Sequence, residues 1–187
     1  MGLRQNNEGS QRVFFNQYSE VLCRYLFHTG KANNNMDAQE IISNTFLKAF
    51  KGINTFNGKS SLKTWLFQIA KNAATDFYKS PKNRHEDLPL DQNAQVSGCQ
   101  DILDNTLELE KQEKIRELLQ KLNEEQREAI AIHIIDGFSI RDTSQVMGKT
   151  EGAVKMLLLR AKQNIRQNIE KSPYFKDFIS TKGGVLQ

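Results

Sequence analysis

Residues 122–166 read LNEEQREAIAIHIIDGFSIRDTSQVMGKTEGAVKMLLLRAKQNIR, and this stretch decides the fold. Three residues in it can each begin a helix, because their side chains can accept a hydrogen bond from a main-chain N–H group two or three residues later: Asn123 (with Gln126 as its capping-box partner), Ser139 and Thr150. Two glycines can end the first two helices, since a positive φ costs glycine little: Gly137 and Gly148. The spacing predicts a helix, a short second helix, a tight turn and a longer third helix.

A short helix, a glycine turn and a longer helix are typical of the helix-turn-helix, whose last helix enters the major groove of DNA. Apolar residues at Val154, Leu158 and Ala161 predict the inward face of that last helix. Lys155 and Arg160 lie on its other faces, where basic side chains can neutralise phosphates. The alternative for this unit is a small helical bundle that does not touch DNA.

Apolar residues also recur at helical spacing in three stretches before residue 80. Polar residues at the starts of the second and third stretches can cap helices: Asp37 (with Glu40 completing a capping box), then Ser60 or Ser61. Trp65 is expected to pack in the core rather than serve a ligand. The pattern predicts a three-helix domain with an aromatic core.

Charge divides the chain into three blocks. Residues 86–113 hold 8 acidic residues against 1 basic residue, whereas residues 1–85 hold 12 basic against 5 acidic and residues 114–187 hold 13 basic against 9 acidic. Helical periodicity also disappears between His85 and Gly98, as expected of a linker. The fold class predicted is therefore all-α, with two small helical domains joined by an acidic flexible linker: a first domain at 1–84, the linker at 85–112, a helix-turn-helix domain at 113–171 and a tail of unassigned role at 172–187.

Composition argues against several other classes of protein. No apolar run approaches the roughly 18 residues that span a bilayer, and residues 1–12 lack an apolar signal core, so a cytoplasmic protein without membrane insertion is expected. Cys23 and Cys99 lie far apart and in no paired motif, which argues against a disulfide framework. The three histidines show no metal-ligand spacing with them. We expect neither a metal nor another cofactor.

Two stretches, in this order, carry a family resemblance. The first is DAQEIISNTFLKAF at 37–50, followed by FNGKSSLKTWLFQIAKNAATDFY at 56–78. The second comprises LNEEQREAI at 122–130, DGFSI at 136–140, GKTEGAVK at 148–155 and Arg160-Ala161. The first resembles region 2, and the second region 4, of bacterial RNA polymerase sigma factors of the extracytoplasmic-function (ECF) group. A helix-turn-helix alone is common to many regulators, whereas both stretches joined by an acidic linker are specific.

The resemblance implies a promoter-specific initiation factor that binds core RNA polymerase, recognises promoter DNA at the −35 and −10 elements and promotes melting. It implies an anti-sigma factor as a further partner, and no enzymatic activity. Residues expected to act on the −10 element are Lys59, Ser60, Ser61, Lys63, Lys71, Asn72 and Tyr78. Those expected at the −35 element are Thr150, Glu151, Lys155 and Arg160. Those expected to bind core polymerase are Asp37, Glu40, Asn44 and Leu47.

The sequence departs from the family pattern on the last helix. Met156 and Leu157 stand where the family commonly has a serine and an arginine, which removes a hydroxyl and a cation from the expected DNA face. We therefore expect weaker contact with the −35 element than in other members.

Two other functions fit parts of the sequence. A helix-turn-helix regulator that is not a polymerase subunit would need a sensor domain, and residues 12–80 carry no phospho-acceptor strand pattern. An enzyme is suggested only by Ser60-Ser-Leu-Lys63, which matches a Ser-x-x-Lys nucleophile motif by letter but lacks its companion motifs. Ser60 is better explained as a helix cap.

Overall fold

The computed structural model describes residue 3, residues 7–80 and residues 114–172. The predicted linker and all but the first residue of the predicted tail lie outside these residues. The described residues contain helices and no strand. This agrees with the predicted all-α class.

Three long helices form the N-terminal bundle (residues 7–80). They are α1 at Glu8–Thr29, α2 at Asn35–Gly52 and α3 at Leu62–Lys79, with a short 3-10 turn at Ile53–Thr55 after α2. Aromatic rings fill the space between α1 and α2, where Phe14 meets Phe46 edge-on at a centroid distance of 5.8 Å. Trp65 is half-buried, and its ring lies tilted against that of Phe56 at a centroid distance of 5.2 Å. It packs on the core, as the sequence predicted.

The start of α2 corrects one prediction. Asp37 and Glu40 do not form a capping box, because Asn34 caps the helix and accepts a hydrogen bond from the Asp37 main-chain N–H at 2.9 Å. Asparagine is as good a cap as aspartate, and the run of three asparagines at 33–35 left its position undetermined. Asp37 therefore sits in the first turn, where its negative charge complements the helix dipole. For α3, Ser61 rather than Ser60 is the cap.

Four helices form the C-terminal bundle (residues 114–172). The described part of α4 covers residues 114–120, and α5 at Glu124–Ile130 continues into a π-helical turn at Ala131–Ile135. Then follow α6 at Ile140–Met147 and α7 at Glu151–Lys171. The predicted caps at Asn123, Ser139 and Thr150 each accept the expected main-chain hydrogen bond. The Gln126 side chain accepts from Asn164 instead of completing the capping box.

The helix-turn-helix consists of α6, the turn at Gly148 and α7. Gly148 has a φ of 66° and ends α6 by donating its N–H to carbonyls of that helix. Val154, Leu158 and Ala161 are buried, as predicted from their spacing. Because these three residues face the core, the opposite face of α7 is exposed to solvent.

The two bundles pack against each other. Helix α3 lies along α6, and α1 contacts α5 and the π-helical turn. Phe67 of the N-terminal bundle meets Phe138 of the C-terminal bundle at 4.7 Å between ring centroids, and both rings are buried. The apolar core therefore runs from one bundle into the other.

Candidate nucleic-acid interface

The outer face of α7 presents the residues expected to meet duplex DNA. Thr150 caps the helix, its hydroxyl oxygen accepting from the Ala153 N–H at 3.2 Å. Glu151, Lys155 and Arg160 are all exposed. A helix N-terminus also directs main-chain N–H groups and a partial positive charge towards a polyanion. This face can hold phosphates at its N-terminal end and place Lys155 one turn further along.

An apolar strip runs beside that face. Met156 is 48% exposed and Leu159 is 51% exposed, three residues apart on the same side of α7. Leu157 is half-buried and packs on the core. Met156 thus occupies solvent-facing surface without a hydrogen-bonding group, whereas Leu157 is partly withdrawn from it.

The loop before α3 and the exposed side of α3 hold part of the set expected at the −10 element. Lys59 is exposed, and its main-chain N–H donates to the Asn57 side chain at 3.1 Å. The Ser61 hydroxyl oxygen accepts from the Thr64 N–H at 3.0 Å, so it has a capping role in the free chain. Asn72 is exposed, and its amide can both donate and accept. Ser60 is half-buried.

The two lysines of α3 in the same set face the C-terminal bundle instead of solvent. Lys63 donates from Nζ to the main-chain oxygen of Asp136 at 2.7 Å and lies 4.2 Å from the centroid of the Phe138 ring. Burial lowers the pKa of Lys63. Lys71 donates to Glu128 Oε2 at 3.1 Å and to the main-chain oxygen of Met147 at 3.2 Å. The sequence placed these lysines on a DNA face without indicating that another part of the chain covers it.

Tyr78 links two of the expected sets. Its hydroxyl donates to Asp37 Oδ2 at 3.1 Å, so a residue expected at the −10 element touches one expected at core polymerase. Burial and the neighbouring Asp37 raise the pKa of Tyr78. On α2 itself, Glu40 and Leu47 are exposed, with Leu47 at 56%, and Asn44 is half-buried.

Several polar residues lie buried between the bundles, and the sequence did not predict this burial. Glu128 is only 4% exposed, and its Oε1 accepts from the Tyr25 hydroxyl at 3.0 Å. Burial, together with Glu128, raises the pKa of Tyr25. A carboxylate two residues after Gln126 on an amphipathic helix carries no sequence signal that distinguishes it from a solvated one. Only its burial in the folded chain identifies it.

Asp136 is the most unusual of these polar residues. It is 8% exposed, and neither carboxylate oxygen has a hydrogen-bond partner. Burial raises its pKa to about 6, against the opposing influence of Lys63 and Arg24. An unpartnered buried carboxylate destabilises the packing around it at neutral pH.

Two further properties bear on the class of protein. Among residues 7–80 and 114–172, no cluster of His, Cys, Asp and Glu could hold a metal ion. No helix in the part of the chain that the structure describes is both long enough and apolar enough to cross a membrane.

A helix-turn-helix with an exposed basic recognition helix, packed on a second helical bundle, defines the protein as a helix-turn-helix DNA-binding protein.

Comparison with known proteins specifies the family. The chain matches Sigma-70 region 2 over residues 14–84 and Sigma-70, region 4 over residues 112–165. It is 33% identical over 153 residues to the ECF RNA polymerase sigma factor BldN of Streptomyces coelicolor, covering 79% of this chain and 55% of that protein. It is 26% identical to the ECF RNA polymerase sigma factor SigX of Bacillus subtilis, covering 87% of this chain and 85% of the relative.

A solved structure supports the fold. CnrH in complex with the cytosolic domain of CnrY superimposes with a TM-score of 0.66 at 19% identity, covering 91% of this chain and 94% of CnrH. The chain belongs to the sigma-70 family and, within it, to the ECF sigma factors, which are promoter-specific initiation factors of RNA polymerase and not enzymes. The chain spans about half the length of BldN.

Proposed function

We propose that this chain binds core RNA polymerase, directs it to a promoter and opens the DNA there. The C-terminal bundle would hold the −35 duplex and the N-terminal bundle would act on the −10 element. The observation that carries this division is the open basic face of α7, in a chain where regions 2 and 4 occur in the family's order.

At the −35 element, residues at the start of α7 approach the bases and those further along hold phosphates. Thr150 and Glu151 lie at the helix N-terminus, Lys155 lies about one turn further along, and Arg160 lies beyond it. Glu151, Lys155 and Arg160 are exposed and have no internal partner to leave among the contacts described, which supports this assignment, whereas the Thr150 hydroxyl caps the helix. The exposed Met156 adds only apolar contact.

At the −10 element, Lys59, Ser60, Ser61, Asn72 and Tyr78 act together with the two lysines of α3. Unstacking and capturing a base needs polar readers, ring platforms and cations that track the backbone. Asn72 and Lys59 are accessible as the chain stands. The Tyr78 ring is half-exposed on the last turn of α3, although its hydroxyl is held by Asp37.

Core polymerase binds the outer surface of α2 formed by Asp37, Glu40, Asn44 and Leu47. The exposed leucine supplies apolar area, and Glu40 supplies a charge that a basic partner can read. An anti-sigma factor that holds the chain inactive is the further partner we propose, on the strength of family membership. We place the protein in the cytoplasm, where core polymerase acts, and assign it no catalytic activity.

The test is transcription with purified core polymerase on genomic DNA, followed by mapping of start sites. We expect new start sites that share −35 and −10 sequences. A helix-turn-helix regulator that is not a polymerase subunit would instead bind DNA without core polymerase and would not bind core polymerase without DNA. That outcome would replace the proposal.

The α2 surface is tested by Glu40→Lys, which should weaken core association about tenfold without unfolding the chain, about 1.4 kcal/mol. Glu117→Lys is the matched control, since Glu117 is exposed on α4 in the C-terminal bundle and loses the same charge. Equal affinity of the two variants for core polymerase would remove Glu40 from the surface.

A further inference from the structure

One face of α3 packs against the C-terminal bundle. Besides the two lysines, Thr64 donates from its hydroxyl to Asp142 Oδ1 at 2.9 Å, and Gln68 donates from its amide to the main-chain oxygen of Gln145 at 2.9 Å. With Phe67 against Phe138, the covered residues fall at the spacing of one helix face. They are Lys63, Thr64, Phe67, Gln68 and Lys71.

Apart from the Phe138 ring, the C-terminal bundle contacts this face through hydrogen-bond acceptors. Two are carboxylate oxygens, on Glu128 and Asp142, and three are main-chain oxygens, on Asp136, Gln145 and Met147. Phosphate oxygens and base carbonyls are acceptors of the same kind. The donors of α3 can therefore be satisfied either by the C-terminal bundle or by a nucleic acid strand, but not by both at once.

We propose that the C-terminal bundle and single-stranded DNA compete for this face of α3, so that the free chain is closed and region 4 acts as an internal inhibitor of region 2. This inference rests on the proposed function, because it takes Lys63 and Lys71 as DNA contacts. Opening the chain exposes both lysines and the Phe67 ring. Any partner that draws the two bundles apart then increases DNA binding.

The residues in the contact between the two bundles allow that contact to form and break reversibly. Its central carboxylate, Glu128, is buried and serves Lys71, Tyr25 and, at 3.7 Å, Lys31. Buried ion pairs contribute little net stability, because the desolvation of the charges offsets their attraction. The unpartnered carboxylate of Asp136 weakens the same contact. A closed state held in this way can be opened by a partner with modest differential affinity.

The test compares two variants of α5 that lose the same charge. Glu128→Gln loosens the contact with Lys71, whereas Glu125→Gln removes a carboxylate that is 58% exposed and pairs with Lys149 inside the C-terminal bundle. The probe is a fluorescent 20-nucleotide oligo-dT, titrated with the free full-length protein and followed by anisotropy. Apparent affinity scales with the open fraction.

Glu128→Gln should bind the probe about five- to tenfold more tightly than Glu125→Gln, which should stay within about twofold of the unaltered chain. Combining Glu128→Gln with Lys71→Gln should remove most of the gain. If Glu128→Gln does not fold, Asp142→Ala on α6 provides the same test, because it leaves every donor of α3 in place and loses one negative charge, as Glu125→Gln does. It loses one hydrogen bond across the contact and should gain about two- to fivefold.

Folded variants that all bind the oligonucleotide as the unaltered chain does would overturn the competition. Transcription with core polymerase is measured alongside and separates the two proposals. If the chain starts transcription and the variants do not alter binding, only the competition fails. If the variants bind more tightly but neither they nor the unaltered chain starts transcription, only the proposed function fails.

Discussion

The Nζ atom of Lys71 lies 3.1 Å from Oε2 of Glu128, and this ion pair joins α3 to α5 across the contact between the two bundles. The Glu128 side chain is 5% exposed and that of Lys71 is 26% exposed. Glu128 Oε1 meanwhile accepts from the Tyr25 hydroxyl, so one carboxylate ties both α1 and α3 to the C-terminal bundle. The pair is thus placed to couple the stabilities of the two bundles.

A double-mutant cycle measures that coupling. Lys71→Met and Glu128→Gln, alone and together, should give a coupling free energy of about 1–3 kcal/mol in chemical denaturation, because the pair is largely desolvated. The Lys149–Glu125 pair, at 29% and 58% exposed, is the control and should give about 0–1 kcal/mol. Coupling that is equal in the two cycles would mean that the bundles are not tied together at Glu128 in solution.

The pH dependence of stability should report the buried carboxylate of Asp136. Its pKa of about 6 lies above the ordinary value of 3.8, so the folded chain favours the protonated form. The stability this contributes is present below about pH 4 and is lost as the pH rises through about 6. The charged and titratable groups that face it are Lys63 from α3 and Arg24 and Tyr25 from α1.

Asp136→Asn should therefore raise the free energy of unfolding at pH 7.5, by about 3 kcal/mol at most, and should have little effect at pH 4. Thermal unfolding across this range makes the measurement. Asp76→Asn is the control, since Asp76 is exposed and pairs with Lys48 at the surface. A gain of the same size at both pH values would show that burial of charge is not the cause.

The sequence predicted those features of the fold that depend on interactions between residues close together in the chain. Ser139, Gly148 and Thr150 act on main-chain atoms a few residues away, so their types and spacing were enough to predict the helix-turn-helix. The cap of α2 was misassigned because neighbouring asparagines and an aspartate are nearly equivalent caps. Local propensity can decide that a helix starts there, but not at which residue.

In the candidate site, too, local features were predicted and long-range contacts were not. Lys155 and Arg160 were predicted on an exposed face, and they are exposed because the buried stripe of α7 fixes its rotation. The partners of Lys63 and Lys71 were not predicted, since Asp136 and Glu128 lie more than 50 residues further along the chain. Nothing in local periodicity reports a contact over that separation.

Two glycines offer a test of the turn in the helix-turn-helix. Gly148 has a φ of 66°, so Gly148→Ala should cost about 1–2 kcal/mol although no atom stands within 4 Å of the new Cβ. Gly152 lies in the first turn of α7 with equally open space, and Gly152→Ala should stabilise the chain by up to about 1 kcal/mol. Chemical denaturation of both variants gives the comparison, and effects of the same sign would contradict the turn geometry.

The last prediction separates the two DNA-binding surfaces. Lys155 lies on the exposed face of α7 and Asn72 on the exposed side of α3, and neither has an internal partner to leave before it meets DNA among the contacts described. Losing a phosphate contact at Lys155 should weaken binding of all duplex sequences and lower the slope of log affinity against log salt concentration by about one unit. Losing a base contact at Asn72 should instead cost about 1–3 kcal/mol of binding free energy at one base position.

With core polymerase bound, Lys155→Ala should impair duplex binding yet still support initiation on a pre-melted template. Asn72→Ala should keep duplex binding at −35 and slow opening, measured by permanganate reactivity of unpaired thymines. If the two variants bind duplex equally well and fail equally on pre-melted DNA, the division between the surfaces is wrong.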